Sequence, residues 1–130
     1  MTATKSQYIP GVCNIGRAEI RQRWIAGWIG VAASVLLLAI LVLFKTAVAW
    51  RLLVFFPATL AAVGFLQAAW HFCAKFGLGG VFNFGPDLGQ TDTVEQAEFR
   101  KKDRRTALLI IGLSLLIGLA VAAAAYFVPL

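Results

Sequence analysis

Three stretches of this chain carry almost no charge, and they decide what it can become. No Asp, Glu, Lys, Arg or His lies between Trp24 and Phe44. Between Leu52 and Ala74 there is only His71, and from Ala107 to Leu130 there is none. An α-helix rises 1.5 Å per residue, so about 20 apolar residues cross a bilayer core of about 30 Å. Each stretch reaches that length. Soluble helices of this length need a polar face, and these have none. The chain is 60% hydrophobic and 14% charged, against about 45–50% and 25% in soluble domains. The expected fold is an all-α membrane protein of one domain, residues 1–130. Its spans lie at about 24–44, 50–73 and 107–128, with a cytoplasmic loop and stalk at 77–106. The stalk is basic and helical and leads into the third span.

The formal net charge of +6 could suit nucleic acid. The basic residues flank the spans instead, where lipid headgroups would meet them. The expected partner is the bilayer, with no nucleic acid. The opening stretch outlines a signal peptide: basic, then apolar, then Ala47-Val48-Ala49. Its apolar run exceeds the 7–15 residues of a signal core, and it reads as a retained span.

Local signals mark the ends of elements. Pro10-Gly11 marks a turn within an irregular stretch, residues 1–13. Asn14 suits a helix cap and Gly16 a close turn, before a helix from Ala18 to Phe44. Trp24 and Trp28 share a face at interface depth, and Trp50 and Arg51 read as interface anchors after a tight first connection, Lys45–Arg51. Pro57 leaves two options for the second span: a long helix from near Trp50 that kinks, which is favoured, or a start near Pro57. Gln67 and His71 are four apart and share a face that should look at protein. Gly77, Gly79 and Gly80 end that helix. An ordered Gly/Phe/Asn/Pro loop with Phe82 and Phe84 follows. Asp92 and Glu95 form a capping box for a helix from about Thr93. Glu98 and Lys102 form an i,i+4 pair on a solvated stalk that runs unbroken into the third span.

Small residues recur at i+4 in all three spans: Ala26, Gly30 and Ser34; Gly64 and Ala68; Ser114, Gly118 and Ala122. Such rows let helices approach closely. Lys and Arg number four before the first span, six between the second and third, two in the first connection and none at the C-terminus. With three spans the split is ten against two. The expected location is therefore the inner (plasma) membrane, multi-pass, with the N-terminus cytoplasmic and the C-terminus outside.

Cys13, His71 and Cys73 fall together at the basic face, and three readings compete there. A zinc site wants four ligands, and His71 and Cys73, two apart on a helix, point nearly opposite ways unless the helix has unwound. Cys13 and Cys73 could be a thiol pair for sulfur or redox handling, assisted by Lys75 and the Arg17–Arg23 cluster. The favoured reading is structural: cysteines packing as small hydrophobes and His71 hydrogen-bonding within the bundle, to Gln67 or a loop carbonyl. No metal and no cofactor is expected. There is no P-loop or spaced dinucleotide motif, and no carboxylate lies within a span to relay ions.

Residues 14–80 resemble the YgaP-like inner-membrane domain family. Asn14-x-Gly16, Arg23 and Gly27 match its opening pattern, with Glu19 where the family has Asp and Ile20 where it has Arg. Phe72-Cys73-Ala74-Lys75-Phe76 and Gly80 are similar to the end of its second span, without the family's Pro. The resemblance implies a two-helix membrane hairpin of largely unknown function. In some members the hairpin is joined to a rhodanese sulfurtransferase domain, which is not found here. The third span lies outside the resemblance.

The leading expectation is a non-enzymatic scaffold or accessory subunit that packs as a homo-oligomer or in a larger membrane complex. The alternative is thiol-dependent sulfur or redox handling through Cys73 and Cys13. A third is lipid or small-molecule binding beneath Phe82 and Phe84.

Overall fold

The structure is a computed structural model describing residues 8–129. It is nearly all helix, and three helical stretches are long and apolar enough to cross a membrane. Helix α1 spans Arg17–Leu43. A 3₁₀ stretch, Val48–Val54, runs straight into α2, Phe55–Trp70. A short α3, Ala74–Gly79, follows, and then two strands, β1 (Val81–Phe82) and β2 (Asp92–Thr93). Helix α4 spans Ala97–Phe127. This is a small multi-pass membrane protein.

The second crossing settles the question at Pro57. Helical structure begins at Val48, so the crossing is the longer one, and its winding tightens to 3₁₀ before the proline. Pro57 is the third residue of α2, just past the change from 3₁₀ to α winding, and it cannot donate back to the preceding 3₁₀ turn.

Helix α2 is the centre of the molecule: α1 and α4 each pack along it and make almost no contact with one another. Glycine sets the α1–α2 spacing. A Cβ on Gly64 would lie 2.6 Å from the Gly27 nitrogen, and one on Gly30 would lie 2.6 Å from the Ala61 nitrogen. The closest approach on α1 therefore uses Gly27 and Gly30. Ala26 and Ser34 lie beside it and are less buried; of the expected row Gly30 is at the contact, and Gly27 stands there in place of Ala26. On the other side, Gly118 of α4 meets Thr59 and Phe55, and Ser114 and Ala122 are buried on the same stripe. Ala68 is buried on α2.

The two ends of the bundle differ. At one end, Lys45 turns the chain with φ 52°. Arg51 lies buried rather than standing as an exposed anchor, and donates to the carbonyls of Ala125 (3.4 Å) and Val128 (2.9 Å). A cation there suits the unpaired carbonyls and the negative pole at the end of α4. At the opposite end, residues 8–16 and 71–96 fold together with the start of α4 into a cap. The N-terminal segment and the second connection thus share one side, and the first connection and the end of α4 share the other. Lys5, one of the basic residues counted above, lies outside the described residues, as does the rest of the stretch 1–7.

Candidate functional site

The cap replaces several expected helix signals with longer-range contacts. Helix α2 does not run on to the glycines but stops at Trp70. His71 closes it in a left-handed conformation (φ 53°), and Cys73 is extended. Asn14 does not cap α1; Gly16 occupies that position without a side-chain bond. Asn14 is fully buried and clamps the unwound segment. Its Oδ1 accepts from the Cys73 N–H (2.7 Å) and its Nδ2 donates to the Cys73 carbonyl (3.2 Å). Its backbone N–H donates to the His71 carbonyl, and its own carbonyl accepts from the Asn83 N–H. Both polar groups of the Asn14 side chain and both of its backbone groups are satisfied, as burial requires.

Gln67, also buried, accepts at Oε1 from the Ala74 N–H (2.8 Å), so it bridges the break between α2 and α3. His71 does not share its surroundings. The left-handed turn leaves His71 exposed, and its side chain makes no hydrogen bond among the described residues. The shared face expected for Gln67 and His71 exists only on an unbroken helix.

A second layer of polar contacts surrounds Glu19, which is 2% exposed. Its Oε1 meets Arg23 Nη1 at 2.5 Å, and its Oε2 accepts from Asn83 Nδ2 (2.8 Å) and the Gly89 N–H (2.8 Å). Arg23 also donates from Nη2 to Cys73 Sγ at 2.9 Å, and its guanidinium lies 5.6 Å from the centre of the Phe76 ring. Burial of a charge costs several kcal/mol unless it is paired and hydrogen-bonded, and here each group is. Asn14, Gly16, Glu19, Arg23 and Cys73 thus belong to one connected region of the cap.

The two cysteines are free and belong to different apolar clusters. Cys73 is buried with Ile15 and Phe76, whereas Cys13 packs against the Phe82, Phe84 and Val94 cluster. Burial pushes the Cys13 thiol up, against a weaker opposing contact with the Ile15 carbonyl. Although the helix does unwind between His71 and Cys73, His71 is exposed and Cys73 buried. Among the described residues no group of three or more His, Cys, Asp or Glu is placed to hold a metal ion. The region beneath Phe82 and Phe84 is taken up by Tyr8, Cys13, Val94 and Phe99.

The stalk is solvated over most of its surface but packs on one side, at Asp103. Asp92 and Thr93 pair with Phe82 and Val81 in a two-stranded sheet, so they cannot begin a helix. Helix α4 starts at Ala97 with Gln96 at its cap position and no side-chain cap. Glu98 and Lys102 form no ion pair with each other. Asp103, a lone acid in a basic run, is fully buried. It accepts from the Tyr8 hydroxyl (2.5 Å) and the Gly11 N–H (2.7 Å), while Thr106 Oγ1 donates to the Gly11 carbonyl. The turn at Pro10-Gly11 is present, with Gly11 at φ 71° and Ile9 bridged to Cys13. It straps the N-terminal segment onto α4. Sequence reasoning passed over Asp103; the only signal was an acid lying where five basic residues from Arg100 to Arg105 surround it.

Among the described residues, concave surfaces border the bundle on both sides of α2. One is a cleft of about 660 Å³ between α1 and α4, floored by α2. Trp24, Val31 and Val35 form one wall, Ile117 and Val121 the other, and Ala58, Ala62 and Phe65 lie in the floor. It continues toward the far end through a space of about 270 Å³ beside Val54 and Val128. The second is a groove of about 380 Å³ between α1 and α2. At 100° per residue, the α2 positions lining the two lie on opposite faces of that helix.

No protein-family model, no curated protein and no solved structure matches this chain.

Proposed function

We propose that this protein is a small non-enzymatic membrane scaffold or accessory subunit, and that the α1/α4 cleft seats an apolar helix of a partner or of a second copy. The observation that carries this reading is the cleft itself. Two spans lean on a third without closing on each other, and leave an apolar channel floored by Ala58, Ala61 and Ala62. In a bilayer, lipid chains solvate such surfaces as well as leucine does, so association rests on packing into small-residue floors. The basic cap faces the cytoplasm in this reading, in the inner (plasma) membrane, because ten of the twelve Lys and Arg flank that end. The residues that carry the resemblance to YgaP-like hairpins fit a packing role: Gly27 lies at the α1/α2 contact, and Asn14, Gly16, Glu19, Arg23 and Cys73 lie in the cap.

The test fills the cleft. Val35→Trp, at an exposed position of the cleft wall, puts an indole into the cleft without touching the cap. Protein extracted gently from its own membranes is expected to migrate as a defined assembly larger than its monomer, and Val35→Trp is expected to lose that assembly while melting normally. An unchanged assembly in the variant would contradict the cleft as the interface.

A second reading rests on the 2.9 Å contact between Arg23 Nη2 and Cys73 Sγ, which sets a cation beside the sulfur. It makes Cys73 the residue of a thiol-dependent role. The separate surroundings of Cys13 give it no resolving partner in the described fold, so the role would fall on Cys73 alone. A cellular phenotype for Cys73→Ser with none for Cys13→Ser would support it. A Cys73→Ser variant without any phenotype would remove it.

A further inference from the structure

The groove on the reverse face of α2 differs from the cleft in being polar at one end only. Its inner part is lined by Ala26, Leu60 and Val63, within the spans. Its outer part, where α1 begins and α2 ends, is lined by Gln22, Arg23, Gln67 and Lys75. The polarity therefore runs along the bilayer normal, in the same sense as that of a lipid leaflet.

Two observations say what the polar end would hold. The first is charge. Arg23 is neutralised by Glu19, whose other oxygen is taken by Asn83 and Gly89. Lys75 is exposed and pairs with no acid among the described residues, and Arg17 and Arg21 stand exposed on the same turns of α1. The rim is left with surplus positive charge. The second is an unused donor. Gln67 is 8% exposed and spends its carbonyl on Ala74. Gln67 lines the groove, and its side-chain NH₂ makes no hydrogen bond among the described residues. An acceptor oxygen in the groove would satisfy it.

We propose that the α1/α2 groove binds one anionic phospholipid. The phosphate lies between Lys75 and Gln22, a phosphate or ester oxygen accepts from the Gln67 NH₂, and an acyl chain follows Ala26, Leu60 and Val63. Basic pockets between spans at the cytoplasmic face are a recurrent way of holding anionic headgroups.

The test measures binding of phosphatidylglycerol and phosphatidylcholine of the same chain length to the full chain in mild detergent, by native mass spectrometry. Phosphatidylglycerol is expected to bind about tenfold tighter, and Lys75→Glu to bring that ratio close to one. Ala26→Phe, which fills the apolar part, is expected to weaken both lipids. Glycerol phosphate, the headgroup without chains, is expected not to bind measurably. The double substitution Lys101→Glu and Arg105→Glu, on exposed positions of α4 away from the groove, is expected to leave the ratio unchanged. Equal binding of the two lipids by the native chain would overturn the proposal. So would a ratio insensitive to Lys75→Glu, a fall as large from the α4 substitutions, or binding of glycerol phosphate as tight as that of the lipid.

Discussion

Single residues decide the cap more than its secondary structure does. Asn14 replaces the missing helical bonds at the end of α2 with a two-point hold on Cys73. Asn14→Ala would leave a buried N–H and a buried carbonyl unpaired, at about 1–3 kcal/mol for each unsatisfied group. A marked drop in thermal stability in micelles is expected, with Asn14→Asp, which keeps the acceptor, falling in between. Tyr8 makes a prediction in pH. Burial and its hydrogen bond to Asp103 raise the phenol above its usual value near 10, because its anion would face a carboxylate. A group whose folded pKa is raised contributes fully below its unfolded pKa and loses that contribution as pH rises. Stability should be insensitive to this group up to about pH 10 and decline above it, and Tyr8→Phe should flatten that part of the profile. The same reasoning makes Cys13, its thiol pushed up by burial, slow to alkylate at neutral pH.

At the scale of elements, the sequence was most legible where the membrane imposes a one-dimensional rule. The three spans follow from runs without charge, and the unbroken passage from stalk to third span follows from an uninterrupted helical pattern. Close packing was legible in outline: Gly30 is at the contact as expected, but Gly27 takes the place of the expected Ala26, because a helix face is wider than an i+4 row. The expectation that failed most clearly was local capping. Asp92 and Glu95 have the spacing of a capping box, yet the pairing of β1 with β2 claims Asp92 for a strand. Asn14 has the chemistry of a cap, yet its partner is 59 residues away. Local propensity cannot register a competitor so distant in sequence. The packing argument predicts a contrast between glycines. Gly64→Leu would drive a side chain into the α1 backbone at Gly27 and Arg23, and overpacking of this kind costs about 1–3 kcal/mol or more. A Cβ added at Gly112 would meet nothing within 4 Å, so Gly112→Leu should melt within error of the native chain. Comparable losses in both variants would deny that these helices are set by backbone contact.

For the whole molecule, the order of sides is built into the fold and the direction of insertion is not. The strap from Tyr8 and Gly11 to Asp103 and the clamp from Asn14 to Cys73 require the N-terminal segment and the second connection to lie together. Under the proposed orientation, charge assigns that side to the cytoplasm. A single cysteine placed at exposed Glu95, in a chain with Ser at positions 13 and 73, should react with an impermeant reagent only after the cells are opened. Reaction in intact cells would invert the assignment. The candidate site was less legible than the fold, because it is made of spaces. A cleft between α1 and α4 exists only because both pack on α2 and not on each other, and no residue pattern in either helix announces that choice. The most direct test of the account is the native mass of the protein, released gently from its own membranes, compared with that of Val35→Trp. A defined assembly that the substitution reduces to monomer is the expected result. A monomer in the native chain would contradict the account.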